Sequence, residues 1–476
     1  MPPINDGPNP SPNELRHGNP TSAGFPDVPN ENRYDFMFDN LRRPENLLNP
    51  AVPGTIESLI KLGATMVDQN PSDADLDSDI PSAYTYLGQF IDHDVTRQSL
   101  VNPPQPNQPP TGPLSLDEIR ASSNLRTYGL DLDCVYGPAV ETNVAFQIPR
   151  NGDQLATDIT SGSPFGPELP REQAPPHAAL IGDRRNDVNL IVSQLHLAFM
   201  LAHNKLVGQG ANFEEARRIL RRHYQWMVVE DYLRRVADPA VVNAVLDSTI
   251  NLYDPPDDNM YMPLEFSVAA FRFGHSMIRD SYNYNETFER VHLFQLQLPG
   301  FLATYHHIPG EWTINWTRFL DGTNNARRFD TTLARGLLRL TNAQGQVSPF
   351  GLATMDLLKG FTMCLPTGEA VANRLGQEMS CRQFQSALTN DQKQILGEGG
   401  FEGRTPLWFY ILAEANALGN GRLGPVGSVI VASVLIGLVR KSKDSYLRFN
   451  NWTPSLGTNG KFDLSDLLRF AEVLPQ

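Results

Sequence analysis

The chain has 476 residues, of which 40% are hydrophobic and 19% charged, so it can bury a sizeable core and is not expected to be disordered overall. Its 39 basic and 53 acidic residues give a net charge of −14, which disfavours binding to nucleic acid or to an anionic membrane surface. The three cysteines, Cys134, Cys364 and Cys381, are an odd number without a CxxC spacing, which argues against a disulfide framework and against a zinc site.

The sequence predicts a mainly α-helical body with long connecting loops. Residues 1–45 are rich in Pro, Asn and Gly and predict an extended N-terminal arm, and residues 46–476 predict a single domain. No signal peptide is visible at the N-terminus, and the longest apolar run, Val426 to Val439, has 14 residues, so no membrane span is expected. Either a secreted or a cytoplasmic location fits. Helical periodicity and caps predict helices near 54–66, 84–96, 186–207, 212–236, 264–279, 330–340, 351–360, 382–397, 405–418, 426–443 and 463–474.

The stretch Tyr84 to Thr96, YTYLGQFIDHDVT, carries unusual polar chemistry for a helix. At 100° per residue, Gln89, Asp92 and His93 share one face, whereas Asp94 points roughly 100° away from His93. The positions Leu87, Ile91 and Val95 form the apolar face that would enter the core. For a lone histidine, a solvated polar face would be the usual interpretation, since helices normally keep acids out of the core.

The string GQFIDHD resembles the distal haem motif of the animal-type haem peroxidase superfamily, the family of the leukocyte and thyroid peroxidases. The resemblance covers roughly residues 80–440 and suggests a minimal, bacterial-like member. It implies a mainly α fold with haem b at its centre. It also implies that His93 transfers protons and that Gln89 holds water or a halide beside it.

The segment Thr127 to Gly137, TYGLDLDCVYG, is similar to the calcium loop of that family. Oxygen atoms at alternating positions can converge in a loop, and Ca²⁺ takes six to eight oxygen ligands. Asp94 would complete the shell, and the ion would fix the helix that carries His93. A solvated acidic turn is the alternative. The predicted calcium ligands are Asp94, Thr127, Gly129, Asp131 and Asp133.

The segment Gly182 to Lys205, GDRRNDVNLIVSQLHLAFMLAHNK, resembles the family segment that carries the catalytic arginine. Arg185 takes that position, where a permanently charged guanidinium would stabilise the departing oxygen as the O–O bond breaks. A surface arginine in the charged cluster Asp183-Arg184-Arg185 is the alternative. His196 and His203 are interpreted as buried, hydrogen-bonded helix residues.

The same segment departs from the family at two positions linked to covalent haem attachment. Val188 stands where many members have an ester-forming Glu, and Asn189 stands where the leukocyte enzyme has a haem-linked Met. Valine has no group that can form such a bond. Asp92 matches the other ester-forming carboxylate of the family, so the resemblance implies at most one covalent haem link, through Asp92.

The segment Leu264 to Ile278, LEFSVAAFRFGHSMI, resembles the family's proximal helix. His275 would bind the haem iron, Arg272 would pair with a haem propionate, and Gly274 would permit close approach of the porphyrin. A core histidine on an amphipathic helix is the alternative. Axial histidines usually donate their second N–H to an acceptor. Alignment on the Leu-Pro of MDLLKGFTMCLP places Asp356 where the family has Asn, although the family's Arg-Asp-His-Gly string is absent.

The resemblance therefore implies a haem peroxidase that reduces hydrogen peroxide and oxidises halides, thiocyanate or small phenols through an oxyferryl intermediate. One alternative is a fatty-acid dioxygenase of the cyclooxygenase type, but that chemistry needs a Tyr three residues before the proximal His, where this chain has Arg272. Another is a catalytically silent, calcium-dependent binding scaffold. The presence of His93, Arg185 and His275 together argues against a scaffold, because nothing structural requires all three.

Overall fold

The computed structural model describes residues 32–48, 54–68, 77–100, 108–137, 148–157, 167–175, 177–293, 302, 307–338, 340, 347–449 and 451–475. Most of the predicted N-terminal arm, residues 1–31, lies outside these residues.

Helices make up most of the regular structure in the described part, as the sequence predicts. The α-helices are Thr55–Thr65, Ala83–Val95, Leu116–Arg120, Asp133–Tyr136, Leu190–Gly208, Phe213–Met227, Leu233–Val236, Pro239–Leu246, Leu352–Thr362, Gly368–Leu375, Cys381–Ser386, Asn390–Glu398, Leu407–Leu418, Pro425–Lys441 and Leu464–Phe470. Two π-helical segments are Val228–Tyr232 and Glu265–Ala269. The 3₁₀ segments are Asp39–Leu41, Pro44–Asn46, Arg184–Asp187, Asp257–Asn259, Ala270–Met277, Gly310–Trp312, Trp316–Phe319, Arg335–Leu338 and Tyr446–Arg448.

The strands are short and serve mainly to join distant parts of the chain. A four-stranded sheet has the order Gln98–Ser99, Ser123–Asn124, Arg33–Asp35 and Tyr261–Pro263. Its last pair is parallel and the other two are antiparallel. The two-stranded pairs are Asp77–Pro81 with Asn325–Arg327, Arg150–Asn151 with Gln154–Leu155, and Ser281–Tyr282 with Val291–His292.

The helix Ala83–Val95 lies at the centre of the contacts that build the site. Leu87, Ile91 and Val95 are fully buried, which confirms the predicted apolar face. The helix contacts Leu190–Gly208, Asp133–Tyr136, Arg184–Asp187 and Ala270–Met277. Because the helix and these four segments together carry most of the predicted site residues, the packing of this one helix brings those residues together.

Several predicted helices begin and end as expected, and three differ. Asn212 and Glu215 form the predicted capping box at the start of Phe213–Met227. The single helix predicted over 382–397 was wrong, because Thr389 and Gln392 form a second capping box that starts a new helix. Of the helix predicted near 330–340, only Arg335–Leu338 is helical, as 3₁₀.

The α-helix predicted over 264–279 was also wrong, since the chain there is a π-helical segment followed by a 3₁₀ segment. In a 3₁₀ helix, side chains at i and i+3 eclipse one another. Arg272 and His275 have this spacing, so the tighter helix turns both side chains to the same side.

The described end of the predicted arm is packed into the body. Arg33–Asp35 pairs with Tyr261–Pro263 in register, and Tyr34 is buried. Behind the strand, the buried carboxylate of Glu265 accepts hydrogen bonds from the backbone N–H groups of Met37 at 2.8 Å and Phe38 at 3.0 Å. Burial raises the pKa of Glu265 to about 7, even though these hydrogen bonds lower it. The proposed boundary at residue 45 stays a prediction.

Among the described residues, one helix, Leu190–Gly208, is long and apolar enough to cross a membrane by length and composition. In its most apolar window, 72% is buried inside the fold, as in the core helix of a globular protein.

Candidate functional site

A cavity lies between the helix Ala83–Val95 and the segment Glu265–Met277. It contains about 830 Å³ of space, including the part open to solvent. Six residues predicted from the sequence line it together: Gln89, Asp92, Arg185, Arg272, Gly274 and His275. Three tyrosines, Tyr34, Tyr86 and Tyr232, also line the cavity, and the sequence did not indicate them.

His275 and Arg272 both bind the carboxylate of Asp356. His275 Nδ1 lies 2.6 Å from Asp356 Oδ2, and Arg272 Nη1 forms an ion pair with Asp356 Oδ1. Burial alone would raise the pKa of Asp356, but the neighbouring His275 and Arg272 outweigh burial and lower it. The carboxylate therefore stays charged and accepts the Nδ1 proton, which leaves Nε2 of His275 as the nitrogen able to bind a metal.

Lys359 is a cation near this cluster that sequence reasoning missed. It follows Asp356 by one turn on the helix Leu352–Thr362. Its Nζ is buried and makes no hydrogen bond to any described residue. Burial, and then the charge of Arg272, lower the pKa of Lys359 to about 7. A buried amine without a partner is costly in its charged form, and Lys359 is not among the residues that line the cavity.

Arg185 is held from behind by a buried carboxylate. Its Nε lies 3.1 Å and 3.0 Å from the two oxygens of Asp183, and its Nη2 donates to Asp183 at 2.7 Å and to the carbonyl of Thr96 at 2.7 Å. Asp183 also pairs with Arg126, and Arg97 lies 4.0 Å away. Burial opposes the charge of Asp183, but the three guanidiniums hold its pKa well below the usual range.

His93 is buried beside the cavity and is not among the residues that line it. Its Nδ1 lies 2.7 Å from Asn186 Oδ1, and Asn186 Nδ2 lies 2.9 Å from His196 Nδ1. If Asn186 Oδ1 accepts from Nδ1, His93 carries its proton there and its Nε2 is the basic nitrogen. Burial lowers the pKa of His196 to about 3, so His196 is neutral. The prediction that His196 is a buried, hydrogen-bonded helix residue is confirmed, and His203, bonded to Tyr136 at 2.9 Å, is another.

The two other polar residues of the same helix face are held by neighbours. Asp92 accepts a hydrogen bond from the hydroxyl of Thr96 at 2.9 Å, and Gln89 Oε1 accepts one from Asn189 at 3.1 Å. Val188 packs against the hydrophobic core and does not line the cavity. Thus Asp92 is the carboxylate that the helix presents to the cavity.

Asp94 faces away from the cavity, toward the loop that begins at Thr127. Its oxygens accept hydrogen bonds from the backbone N–H groups of Leu132 and Cys134, both at 3.2 Å. Burial, and then the nearby charge of Asp133, raise the pKa of Asp94 to about 8. Burial and Asp131 raise the pKa of Asp133 to about 6. Carboxylates that repel one another in this way would gain from a cation.

The other predicted calcium ligands are only partly arranged around Asp94. Thr127 donates through both its N–H and its hydroxyl to Asp133 Oδ2 at 2.8 Å, whereas Asp133 Oδ1 is buried without a hydrogen-bond partner in the described structure. Asp131 faces Arg221 at 3.4 Å, and Gly129 lies against Asp131. Within the described residues, no set of three or more His, Cys, Asp or Glu side chains is placed to hold a metal ion. A calcium shell would therefore need backbone or hydroxyl oxygens, and it would need Asp131 to leave Arg221.

The family model described as animal haem peroxidase matches residues 93–360. A peroxidase-like protein from Margaritifera margaritifera is 24% identical over 401 residues, which cover 68% of this chain and 49% of that relative. The chain thus spans about half the length of that curated relative.

Solved structures resemble the fold at low sequence identity. Peroxidase A from Dictyostelium discoideum superposes with a TM-score of 0.62 at 15% identity, covering 98% of this chain and 94% of that one. The fatty acid alpha-dioxygenase of Oryza sativa gives a TM-score of 0.58 at 15% identity, covering 87% and 77%. Because the matched family model spans more than half of the sequence, the chain belongs to the animal haem peroxidase family.

Proposed function

We propose that this chain is a haem peroxidase that reduces hydrogen peroxide and oxidises small donors. The observation that carries the proposal is a single cavity lined both by Arg185, fixed on Asp183, and by His275, fixed on Asp356. A structural core would have no reason to bury two ionic clusters around one space, because each buried charge costs free energy unless it is paired.

The residues around the cavity fit a haem group. His275 would hold the iron through Nε2, since its Nδ1 is committed to Asp356. Arg272, which lines the cavity, would neutralise a carboxylate of the porphyrin. At Gly274, which also lines the cavity, an added Cβ would have no atom within 4 Å and would project into open space. When bound, haem supplies the redox-active iron on which the peroxide O–O bond is cleaved.

The chain's own residues would handle the proton and the charge. Nε2 of His93 would take the proton of the incoming peroxide and return it to the departing oxygen, because Asn186 keeps the other proton on Nδ1. Arg185 would stabilise the negative charge that develops as the O–O bond breaks. Asp183 holds that guanidinium, so it acts as a positioning residue.

We also propose one ester link from Asp92 to the haem, and no link at Val188. Asp92 lines the cavity, and Val188 does not. Acidic organic solvent should leave haem on the wild-type protein and should remove it completely from Asp92→Asn. Complete extraction from the wild type would show that the ester does not form.

Calcium is the second group we propose, held at Asp94 and Asp133 with oxygens of the loop that begins at Thr127. The support is the buried Asp133 Oδ1 that lacks a partner in the described structure, together with the raised pKa values of both carboxyls. Because Ca²⁺ also accepts carbonyl and hydroxyl ligands, a site can form with few side-chain carboxylates.

A fatty-acid dioxygenase is the second candidate function. The three tyrosines that line the cavity are the observation that favours it, because such chemistry needs a tyrosine radical close to the haem. Arg272 stands where the cyclooxygenase-type tyrosine would be, and this argues against the dioxygenase. Oxygen uptake with linoleate, without turnover of a phenolic dye by peroxide, would favour the dioxygenase over the peroxidase.

Stopped-flow mixing of the haem-loaded protein with hydrogen peroxide tests the proposal. Arg185→Gln should slow the reaction by about 100-fold or more, the usual effect of losing a preorganised donor at an oxyanion. Arg184→Gln is the matched control, because Arg184 is half-buried and pairs with Glu172, and it does not line the cavity. Equal rates in wild type and Arg185→Gln would remove the role given to Arg185.

A further inference from the structure

The described end of the N-terminal arm supplies one wall of the cavity. The strand Arg33–Asp35 lies inside the four-stranded sheet, with a neighbouring strand on each side. Because successive side chains of a strand point to opposite faces, Tyr34 faces the other way from the residues before and after it. Those two residues bind Asn259 at 2.8 Å and Arg120 at 3.2 Å, outside the cavity. Tyr34 itself lines the cavity and is 1% exposed.

The far end of the Tyr34 ring is held in place. Its hydroxyl donates to Asn124 Oδ1 at 3.3 Å. The amide of Asn124 is fixed in turn by the main chain, because its Oδ1 accepts the N–H of Arg97 at 2.8 Å and its Nδ2 donates to the carbonyl of Val95 at 2.9 Å. The phenol therefore cannot swing aside without breaking a hydrogen bond inside the fold.

Tyr34 is close to both sides of the cavity. Burial raises the pKa of Tyr34 and the charge of Asp92 adds to the rise, whereas Arg185 and Arg272 lower it. Charges have such effects only when they are near the phenol. Asp92 and Arg185 lie on one side of the cavity, and Arg272, beside His275, lies on the other. A side chain that is near both sides stands at the edge of the space between them, where it limits what fits beside a flat ligand.

We propose that Tyr34 is a specificity-determining residue, whose ring restricts the donors that enter this cavity to inorganic ions and aromatic molecules with a single ring. The proposal rests on the proposed peroxidase function and adds the residue that sets the size limit. Tyr34 precedes residues 93–360, so this wall comes from a part of the chain outside the match to the family model. Since protein interiors are close-packed, a donor with a second ring would have to displace the phenol and break its bond to Asn124.

The test compares two donors that differ by one ring, phenol and 4-phenylphenol. The Kd of each is measured without peroxide, by titrating the Soret band of the ferric protein. The ratio of the two Kd values reports the size limit, because any change that affects both donors cancels. Tyr34→Ala removes the ring, and Tyr34→Phe removes only the hydroxyl. Tyr34→Leu keeps more of the apolar packing, and it is measured in parallel in case the alanine variant does not fold.

Phe36→Leu is the matched control for Tyr34→Leu. Phe36 belongs to the same arm, is 4% exposed and does not line the cavity. Leucine replaces a buried ring in both variants, so both loosen the packing of the arm. Only the variant at Tyr34 widens the cavity as well.

The ratio of the Kd of 4-phenylphenol to that of phenol should fall by about tenfold or more in Tyr34→Ala and by a smaller factor in Tyr34→Leu. It should stay within about twofold of the wild-type ratio in Tyr34→Phe and in Phe36→Leu, because neither variant removes a ring from the cavity wall.

An unchanged ratio in both Tyr34→Ala and Tyr34→Leu would overturn the proposal. A fall in Phe36→Leu equal to that in Tyr34→Leu would also overturn it, since a loosened arm would then set the limit. A wild type that reacts with peroxide but binds the two donors equally well would overturn this inference alone. A wild type that binds no haem would overturn the proposed function with it.

Discussion

The substitution Asp183→Asn removes the charge that holds Arg185 while keeping the shape of the side chain. Asp183 is 1% exposed and Arg126 is 2% exposed, so the cluster is shielded from water. Removing one partner of a buried ion pair costs about 3–5 kcal/mol, because the remaining charge stays buried without compensation. At roughly 2.1 cal/mol/K per residue, the unfolding entropy of 476 residues is about 1 kcal/mol/K, so Tm should fall by about 3–5 °C.

The same substitution should slow the reaction with peroxide by at least about tenfold, since a misplaced catalytic group commonly costs up to about 100-fold. Differential scanning calorimetry measures the first effect and stopped-flow absorbance the second. Asp187→Asn is the matched control, because Asp187 pairs with the buried Arg171 at 2.7 Å and 2.8 Å and does not contact Arg185 in the described structure. Asp187→Asn should lower Tm by a comparable amount, because it also breaks a buried ion pair. Its rate of reaction with peroxide should stay within about twofold of the wild-type rate, because its effect is on stability alone.

If Asp183→Asn leaves both Tm and the peroxide rate unchanged, the ionic cluster does not position Arg185. If Asp187→Asn slows the peroxide reaction as much as Asp183→Asn does, the loss reflects general destabilisation of the turn Arg184–Asp187.

Three further substitutions test other parts of the site. Asp356→Asn should raise the haem reduction potential, because His275 loses an anionic acceptor. The rise measured by spectroelectrochemistry should be at least ~60 mV, which is a tenfold change in a one-electron equilibrium. An unchanged potential would contradict this. Burial raises the pKa of Glu265 from 4.5 to about 7, so its stabilising contribution is complete below pH 4.5 and is lost as pH rises through 7. The free energy of unfolding of the wild type should fall by up to ~3 kcal/mol between pH 5 and 8, and its Tm should fall with it. Glu265→Gln should show a smaller fall in Tm over this range. A Tm profile parallel to that of the wild type would refute this. Calcium at a hundredfold excess over its Kd should stabilise the wild type by ~2.7 kcal/mol in thermal melts and should not stabilise Asp133→Ala; equal stabilisation of both would place calcium elsewhere.

The parts of the site that sequence could predict are those carried by one short segment. Periodicity over Tyr84 to Thr96 places Gln89 and Asp92 on the cavity side and Leu87, Ile91 and Val95 in the core, because the helix repeat alone decides which side chains share a face. The capping box of Asn212 and Glu215 is equally local, so it too could be predicted from the sequence.

The parts that sequence reasoning missed depend on contacts between distant residues. Asp183 looked like one acid in a charged cluster, and only the fold brings Arg126, 57 positions away, onto it. Lys359 lies one turn after Asp356, a spacing that could have indicated a second cation, but its burial depends on tertiary packing. The change from π to 3₁₀ geometry before His275 also has no local signature in the hydrophobic pattern.

The most direct measurement is a titration of the purified protein with haem, followed by a pyridine haemochrome spectrum of wild type and His275→Ala. The wild type should take up one haem b per chain with a sharp Soret band, since His275, fixed by Asp356, offers Nε2 to the iron. His275→Ala should lose that band, while its far-ultraviolet circular dichroism stays the same. A wild type that takes up no haem, or a His275→Ala protein with the same native Soret band and the same haem stoichiometry, would contradict the assignment of this cavity.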